Sequence, residues 1–138
     1  VGEPRKPLAK VASGGELSRI MLAIKASIAD ADRTQTLIFD EIDTGISGRT
    51  AQSVAEKLAF LARSHQIICI THLPQIAAMA DTHFAIEKSV EDGSTISGIR
   101  LLSAQDSVSE LARLLSGSEI TPAALRSAAE MKAAARNL

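Results

Sequence analysis

The stretch Thr36-Leu37-Ile38-Phe39-Asp40-Glu41 constrains the fold of this chain more than any other: uncharged residues run directly into two adjacent carboxylates. This reads as a buried strand whose C-terminal end delivers two acids to a site. In open parallel sheets, ligands bind in the crevice at the carboxyl ends of the strands. A second run, Gln66-Ile67-Ile68-Cys69-Ile70-Thr71, reads as another buried strand and ends at His72. Between the two runs lies the loop Thr44-Gly45-Ile46-Ser47-Gly48, with Ser47 as a helix N-cap. Ala51, Val54, Ala55, Leu58 and Leu61 then share one helical face. Strand, helix and strand over this length predict a βαβ unit with parallel strands. Asp40-Glu41 and Thr71-His72 are therefore expected side by side.

Upstream, Ser13-Gly14-Gly15-Glu16 has the spacing of a capping box. Leu17, Ile20, Met21, Ile24 and Ile28 recur at helical spacing, which predicts a helix to about Asp30. The glycines leave backbone N–H groups uncovered at the positive end of that helix, a ready anion site. The plainer reading is an ordinary helix start with a glycine turn. Val1 to Val11, with Pro4, Pro7, Arg5, Lys6 and Lys10, has no usable period and reads as a connector within a longer protein. Downstream, Leu73-Pro74-Gln75-Ile76 starts a short helix ending near Ala80. His83–Lys88 and Ile96–Leu102 read as a hairpin turning through Glu91-Asp92-Gly93-Ser94. A short helix over Ser107–Leu115 points Val108, Leu111 and Leu115 inward and stops at Gly117. A last helix starts at Pro122 and reaches about Asn137.

With no Trp or Tyr and only three Phe, the core must be built from Leu, Ile, Val and Ala. Fifteen basic against sixteen acidic residues leave a net charge of -1, so no global field draws the chain to nucleic acid or membrane. A basic strip formed by the N-terminal Lys and Arg residues with Arg19 and Lys25 would be a local exception, although a solvated face explains it equally well. The single cysteine, Cys69, excludes an internal disulfide and fits a reducing compartment. No apolar run approaches the roughly 20 residues of a bilayer span, and no signal peptide opens the chain, so a cytoplasmic location is expected.

The strand-end residues suggest phosphoryl chemistry. Asp40 would hold Mg²⁺, which prefers oxygen ligands and keeps part of its water shell. Glu41 would orient or deprotonate an attacking water, and His72 beside it would hydrogen-bond a γ-phosphate or that water. Taken singly, each has a plainer reading, since surface acids and structural histidines often follow strands. His65 and His83 have no partner visible in sequence, and Cys69 reads as inert core. No zinc spacing, Gly-x-Ser-x-Gly or Cys/His nucleophile arrangement occurs.

The order of these motifs resembles the C-terminal half of an ABC-type ATPase. There Ser13-Gly14-Gly15-Glu16 corresponds to the signature, the strand ending Asp40-Glu41 to Walker B, and His72 to the switch histidine. The SMC-like branch typically carries Asp-Glu-Ile-Asp, as in Asp40-Glu41-Ile42-Asp43. Leu8-Ala9-Lys10-Val11-Ala12-Ser13-Gly14-Gly15-Glu16-Leu17-Ser18-Arg19, with Thr44 to Gly48 and Thr71-His72-Leu73-Pro74-Gln75-Ile76, closely resembles the RecN family of bacterial SMC-like DNA double-strand-break repair proteins. Two positions depart from the general pattern: Ala12 stands where many signatures have leucine, and Ser47 where the D-loop usually ends in aspartate.

The resemblance implies an α/β fold over residues 1–138: a small parallel sheet flanked by helices, followed by a C-terminal hairpin and helices. This would be the C-terminal lobe of an ABC/SMC-type P-loop ATPase head. It implies ATP and Mg²⁺ as cofactors, with Ser13, Gly14, Gly15 and Glu16 binding nucleotide across a head–head homodimer, Asp40 holding the metal, and Glu41 and His72 catalytic. It also implies an N-terminal lobe as partner, because no Gly-x-x-x-x-Gly-Lys-Ser/Thr loop occurs in the chain. DNA would be bound by the whole protein, located in the bacterial cytoplasm at the nucleoid, and the isolated chain would be catalytically silent. The rival expectations are a head lobe of another SMC-like, chromosome-organising ATPase and a non-catalytic docking module with an ABC-like fold. An independent metal-dependent hydrolase is disfavoured, because only Asp40, Glu41 and His72 converge.

Overall fold

The computed structural model describes residue 7, residues 12–91 and residues 94–136. The connector over Val1 to Val11 (Pro7 aside), the hairpin tip Asp92-Gly93 and the helix end at Asn137 lie outside these residues. The element order is α1 (Gly14–Ser27), β1 (Thr36–Phe39), α2 (Gly48–Ala62), β2 (Gln66–Cys69), α3 (Pro74–Ala77), β3 (Phe84–Glu91), β4 (Ser94–Leu101), α4 (Ala104–Ser116) and α5 (Pro122–Ala135). This is a mixed α/β chain with five helices and two small two-stranded sheets among the described residues. It divides into two units, residues 1–72 and 73–138.

In the first unit, β1 and β2 pair in parallel, Thr36 opposite Gln66 and Phe39 opposite Cys69. The predicted βαβ unit is present. Helix α2 forms where its periodicity placed it, with Ala51, Val54, Ala55, Leu58 and Leu61 all buried. Ser47 occupies its N-cap position without a side-chain capping bond. The strands, however, are not buried on both faces. Leu37 and Phe39 face the core, whereas Ile38 is 68% exposed and Ile68 and Ile70 are also exposed. A parallel sheet is normally covered on both sides; here Ile38, Ile68 and Ile70 leave one face exposed among the described residues. Helix α1 gives the same correction. Leu22 is buried, while Leu17, Ile20, Met21, Ile24 and Ile28, the stripe that defines its period, are exposed.

The second unit is held by α4 and α5. Ala77, Ala78, Leu111, Ala112 and Ala128 form its buried cluster, with Val108, Leu114, Ala124 and Met131 packed against it. Alanine at these positions lets the helix backbones approach closely. Leu115, expected inward, is exposed; Ala112 takes the inward place, one position from Leu111. Helix α4 starts earlier than its apolar pattern suggests, because Ser103 caps it by accepting from Asp106 N–H, and it ends at Gly117 with φ of 81°. Pro122 opens α5 behind the cap Thr121. The antiparallel hairpin β3–β4 runs in register from Phe84 opposite Leu101 to Glu91 opposite Ser94. Among the described residues no helix is long and apolar enough to cross a membrane.

Candidate functional site

The N-terminus of α1 is built by its own sequence. Ser13 N–H donates to Glu16 Oε2 (2.8 Å), Glu16 N–H donates to Ser13 Oγ (3.3 Å), and Ser13 Oγ–H donates to Glu16 Oε2 (2.9 Å). The backbone bond from Ser13, followed by its hydroxyl, lowers the Glu16 pKa below its ordinary value. Glu16 therefore serves the cap, fixing the glycine turn. Gly14 is exposed, and Gly15 is buried against the loop after β1.

That loop is turned sharply. Glu41 has φ of 56°, the one non-glycine residue with positive φ among those described. Such a conformation costs on the order of 1 kcal/mol and persists only where surrounding structure enforces it. The turn sends Ile42 and Asp43 into the core, at 0% and 4% exposure. It is held by Asp40 Oδ1 accepting from Glu41 N–H (2.8 Å) and by Thr44 N–H donating to Glu41 O (3.0 Å). Helix α1 stitches it down. Ser18 Oγ–H donates to Asp40 O (2.9 Å), and Arg19 Nη1 donates to Ile42 O (3.1 Å) and Thr44 O (2.8 Å). A Cβ on Gly14 would strike Glu41 Oε2, so the Glu41 carboxylate lies directly over the glycine turn. Arg19 is thus a tie between elements, while the N-terminal residues of the expected basic strip lie outside the described residues. Lys25 is another tie, bonded to Asp32 Oδ2 at 2.7 Å and Thr34 Oγ1 at 3.3 Å.

Asp43 joins the two strand ends. Its Oδ2 accepts from Thr71 Oγ1 (2.6 Å) and His72 N–H (2.8 Å), and His72 Nδ1 lies 2.9 Å from it. Burial pushes its pKa up, but the bonds from Thr71 and the His72 backbone, with the His72 charge, outweigh it and hold the carboxyl below its usual range. The His72 ring itself is 72% exposed. The partner of His72 is therefore Asp43. The Asp40-Glu41-Ile42-Asp43 motif contains Asp43 but by itself assigns it no role. The available signal was its place three residues beyond Asp40, at the end of a strand parallel to the one that leads to His72.

The structure brings Gly14 and Gly15 against Glu41, with Ser13 next to them at the helix cap, sets Asp40 beside Glu41, and ties His72 through Asp43 to the same loop. Among the described residues, no cluster of three or more His, Cys, Asp or Glu could hold a metal ion by itself. Magnesium takes one or two carboxylates and fills the rest of its shell with phosphate and water. Asp40, with Oδ1 tied to Glu41 N–H and Oδ2 remaining, fits that mode and not a closed protein cage. Cys69 is half-buried. Burial, helped by the charges of Asp43 and Asp40, pushes its thiol up to about 12, which keeps it protonated and unreactive. His65 and His83 both have partners. His65 Nδ1 bonds Ser64 Oγ at 2.8 Å, and His83 Nδ1 bonds Ser107 Oγ at 2.8 Å.

No protein-family model matches the chain. Curated relatives do. The chain is 52% identical over 130 residues to the DNA repair protein RecN of Bacillus subtilis, covering 94% of this chain and 23% of that protein. It is 50% identical over 132 residues to the RecN of Deinococcus radiodurans, covering 96% of this chain and 23% of the relative. With the RecN of Haemophilus influenzae the identity is 50% over 131 residues, covering 95% and 24%. The chain thus spans about a quarter of the length of the curated relatives it matches. At this identity over almost its whole length, the chain belongs to the RecN family.

Proposed function

We propose that this chain is the C-terminal lobe of an ABC/SMC-type ATPase head in a RecN-like DNA double-strand-break repair protein. The observation that carries the reading is the convergence of Asp40-Glu41 and His72 at adjoining ends of two parallel strands, with Gly14 and Gly15 packed against Glu41. The names of its relatives support DNA repair over chromosome organisation.

In this reading Glu41 orients the attacking water and accepts its proton, and His72 hydrogen-bonds the γ-phosphate or that water. Asp40 is the carboxylate that holds Mg²⁺. Bound there, the ion would neutralise charge on the phosphates of ATP. The backbone N–H groups of Gly14 and Gly15 at the start of α1, beside Ser13, serve the γ-phosphate of an opposing head, helped by the helix dipole. The complete site is then a homodimer sandwiching ATP, each head completed by an N-terminal lobe carrying the phosphate loop. The exposed faces of Ile38, Ile68 and Ile70 on the sheet, and of Ile20, Met21 and Ile24 on α1, suit burial by such a lobe. Those faces are also what a non-catalytic docking module would use, which keeps that reading as the alternative.

The test is ATP hydrolysis by the chain alone and mixed with a lobe carrying the phosphate loop, as wild type and Glu41→Gln, with and without DNA. Turnover is expected only in the mixture and is lost with Glu41→Gln. Silence in a mixture that forms a complex and binds nucleotide would leave the docking module as the better reading.

A further inference from the structure

Two donors, Thr71 Oγ1 and the His72 backbone N–H, meet one oxygen of Asp43, and His72 Nδ1 lies 2.9 Å from the same oxygen. A carboxylate oxygen can only accept, so a ring nitrogen 2.9 Å from it favours a proton on Nδ1. In the neutral ring, Nε2 is then the nitrogen with the free lone pair. The carboxylate is 4% exposed while the ring it holds is 72% exposed, so the buried acid fixes a side chain that stands in solvent. Tying the two loops together needs only the bonds from Thr71 and the His72 backbone. The ring contact orders an exposed ring at a cost in side-chain entropy, and adds nothing to core packing.

We infer that Asp43 is a positioning residue for His72: it selects the Nδ1–H tautomer, aims the ring, and leaves Nε2 facing the ligand side as an acceptor from water. The inference rests on the hydrolytic reading of His72 given above. Because its acceptor is a carboxylate, the Nδ1–H contact with Asp43 is charge-assisted, which favours this tautomer and fixes the ring. Because Asp43 follows Glu41 by two residues, the loop that carries the carboxylate and the loop that carries the imidazole are held as one body. Nothing enters or leaves Asp43 itself; its carboxylate stays an acceptor throughout.

The experiment uses the full-length protein with MgATP, comparing wild type, Glu41→Gln, His72→Ala, Asp43→Asn and the Asp43→Asn/His72→Ala double variant. Asp43→Asn can keep an acceptor oxygen at the position shared by Thr71, the His72 backbone and the ring, but it removes the negative charge that favours a proton on Nδ1. It should lower kcat by about 10–100-fold while KM and nucleotide affinity stay within about twofold of wild type. In the His72→Ala background the same substitution should have no further effect. Histidine ¹⁵N shifts should place the His72 proton on Nδ1 in wild type and move it towards Nε2 in Asp43→Asn; the wild-type spectrum decides even if the variant folds poorly. A kcat loss that persists without the His72 ring, unchanged turnover in Asp43→Asn, or an Nε2–H tautomer in wild type would overturn the inference. If His72→Ala retains wild-type turnover, the hydrolytic reading of His72 fails and the inference falls with it. If His72→Ala is inactive and Asp43→Asn is not, the inference alone fails.

Discussion

Gly15 stands so close to Glu41 that a Cβ on it would lie 2.7 Å from the Glu41 carbonyl oxygen, and 3.0 Å from Thr44 Cβ. The neighbour at Gly14 is different, because there the added carbon would meet only the end of the Glu41 side chain. A backbone carbonyl held by Thr44 N–H cannot move aside, whereas a carboxylate can rotate. Gly15→Ala should therefore destabilise the fold by about 1–3 kcal/mol, with Gly14→Ala well below that. Urea unfolding midpoints of the two variants check the order, and equal losses would remove the steric argument.

Arg19 should matter to the same loop from the other side. Its Nη1 satisfies two carbonyls, Ile42 O and Thr44 O, that stand beside a strained Glu41. Arg19→Ala should cost about 2 kcal/mol, and Arg19→Lys less, because one ammonium on a flexible stem replaces a planar fork. Limited proteolysis should also nick residues 42–46 faster in the alanine variant. A variant as stable and as resistant as wild type would mean that the loop holds itself.

Acid should weaken the clasp below α1. The hydrogen bond from Lys25, followed by that from Thr34 N–H, holds the Asp32 carboxyl far below its usual range. A group depressed in the folded state contributes stability above its unfolded pKa of about 4 and loses it as pH falls towards the folded value. Asp32→Asn should thus be less stable than wild type at pH 7, with the gap closing from about pH 5 downward. Denaturant midpoints at several pH values provide the measurement. A gap that stays constant with pH would assign the loss to packing.

In the second unit, Leu111 and Leu115 separate buried from exposed on one helix. Leu111 is fully buried and Leu115 is 38% exposed. Leu111→Ala should cost about 2–5 kcal/mol, and Leu115→Ala less than about 1 kcal/mol. Thermal unfolding of the pair would reverse this assignment only if Leu115→Ala were the more damaging.

Local pattern made much of the fold legible. The Ser13–Glu16 spacing predicted a capping box and both halves of it are present. The five apolar positions of α2 predicted its buried face residue by residue. The length between the two apolar runs predicted parallel pairing. In the candidate site, the strand-end positions of Asp40, Glu41 and His72 could be read in advance, but Asp43 as the partner of His72 could not.

The sequence by itself determined element type, capping and strand direction, because helical and strand periods, cap chemistry and connection length act over a few residues. Only the tertiary structure decided which faces are covered. Ile38, Ile68 and the stripe on α1 have the same hydrophobic pattern whether or not a layer packs on them, so burial had to be seen. It also decided the long-range polar bonds. Arg19 reaches Thr44 across 25 residues and Asp43 reaches His72 across 29, and no local propensity encodes a side chain that finds its partner through the fold.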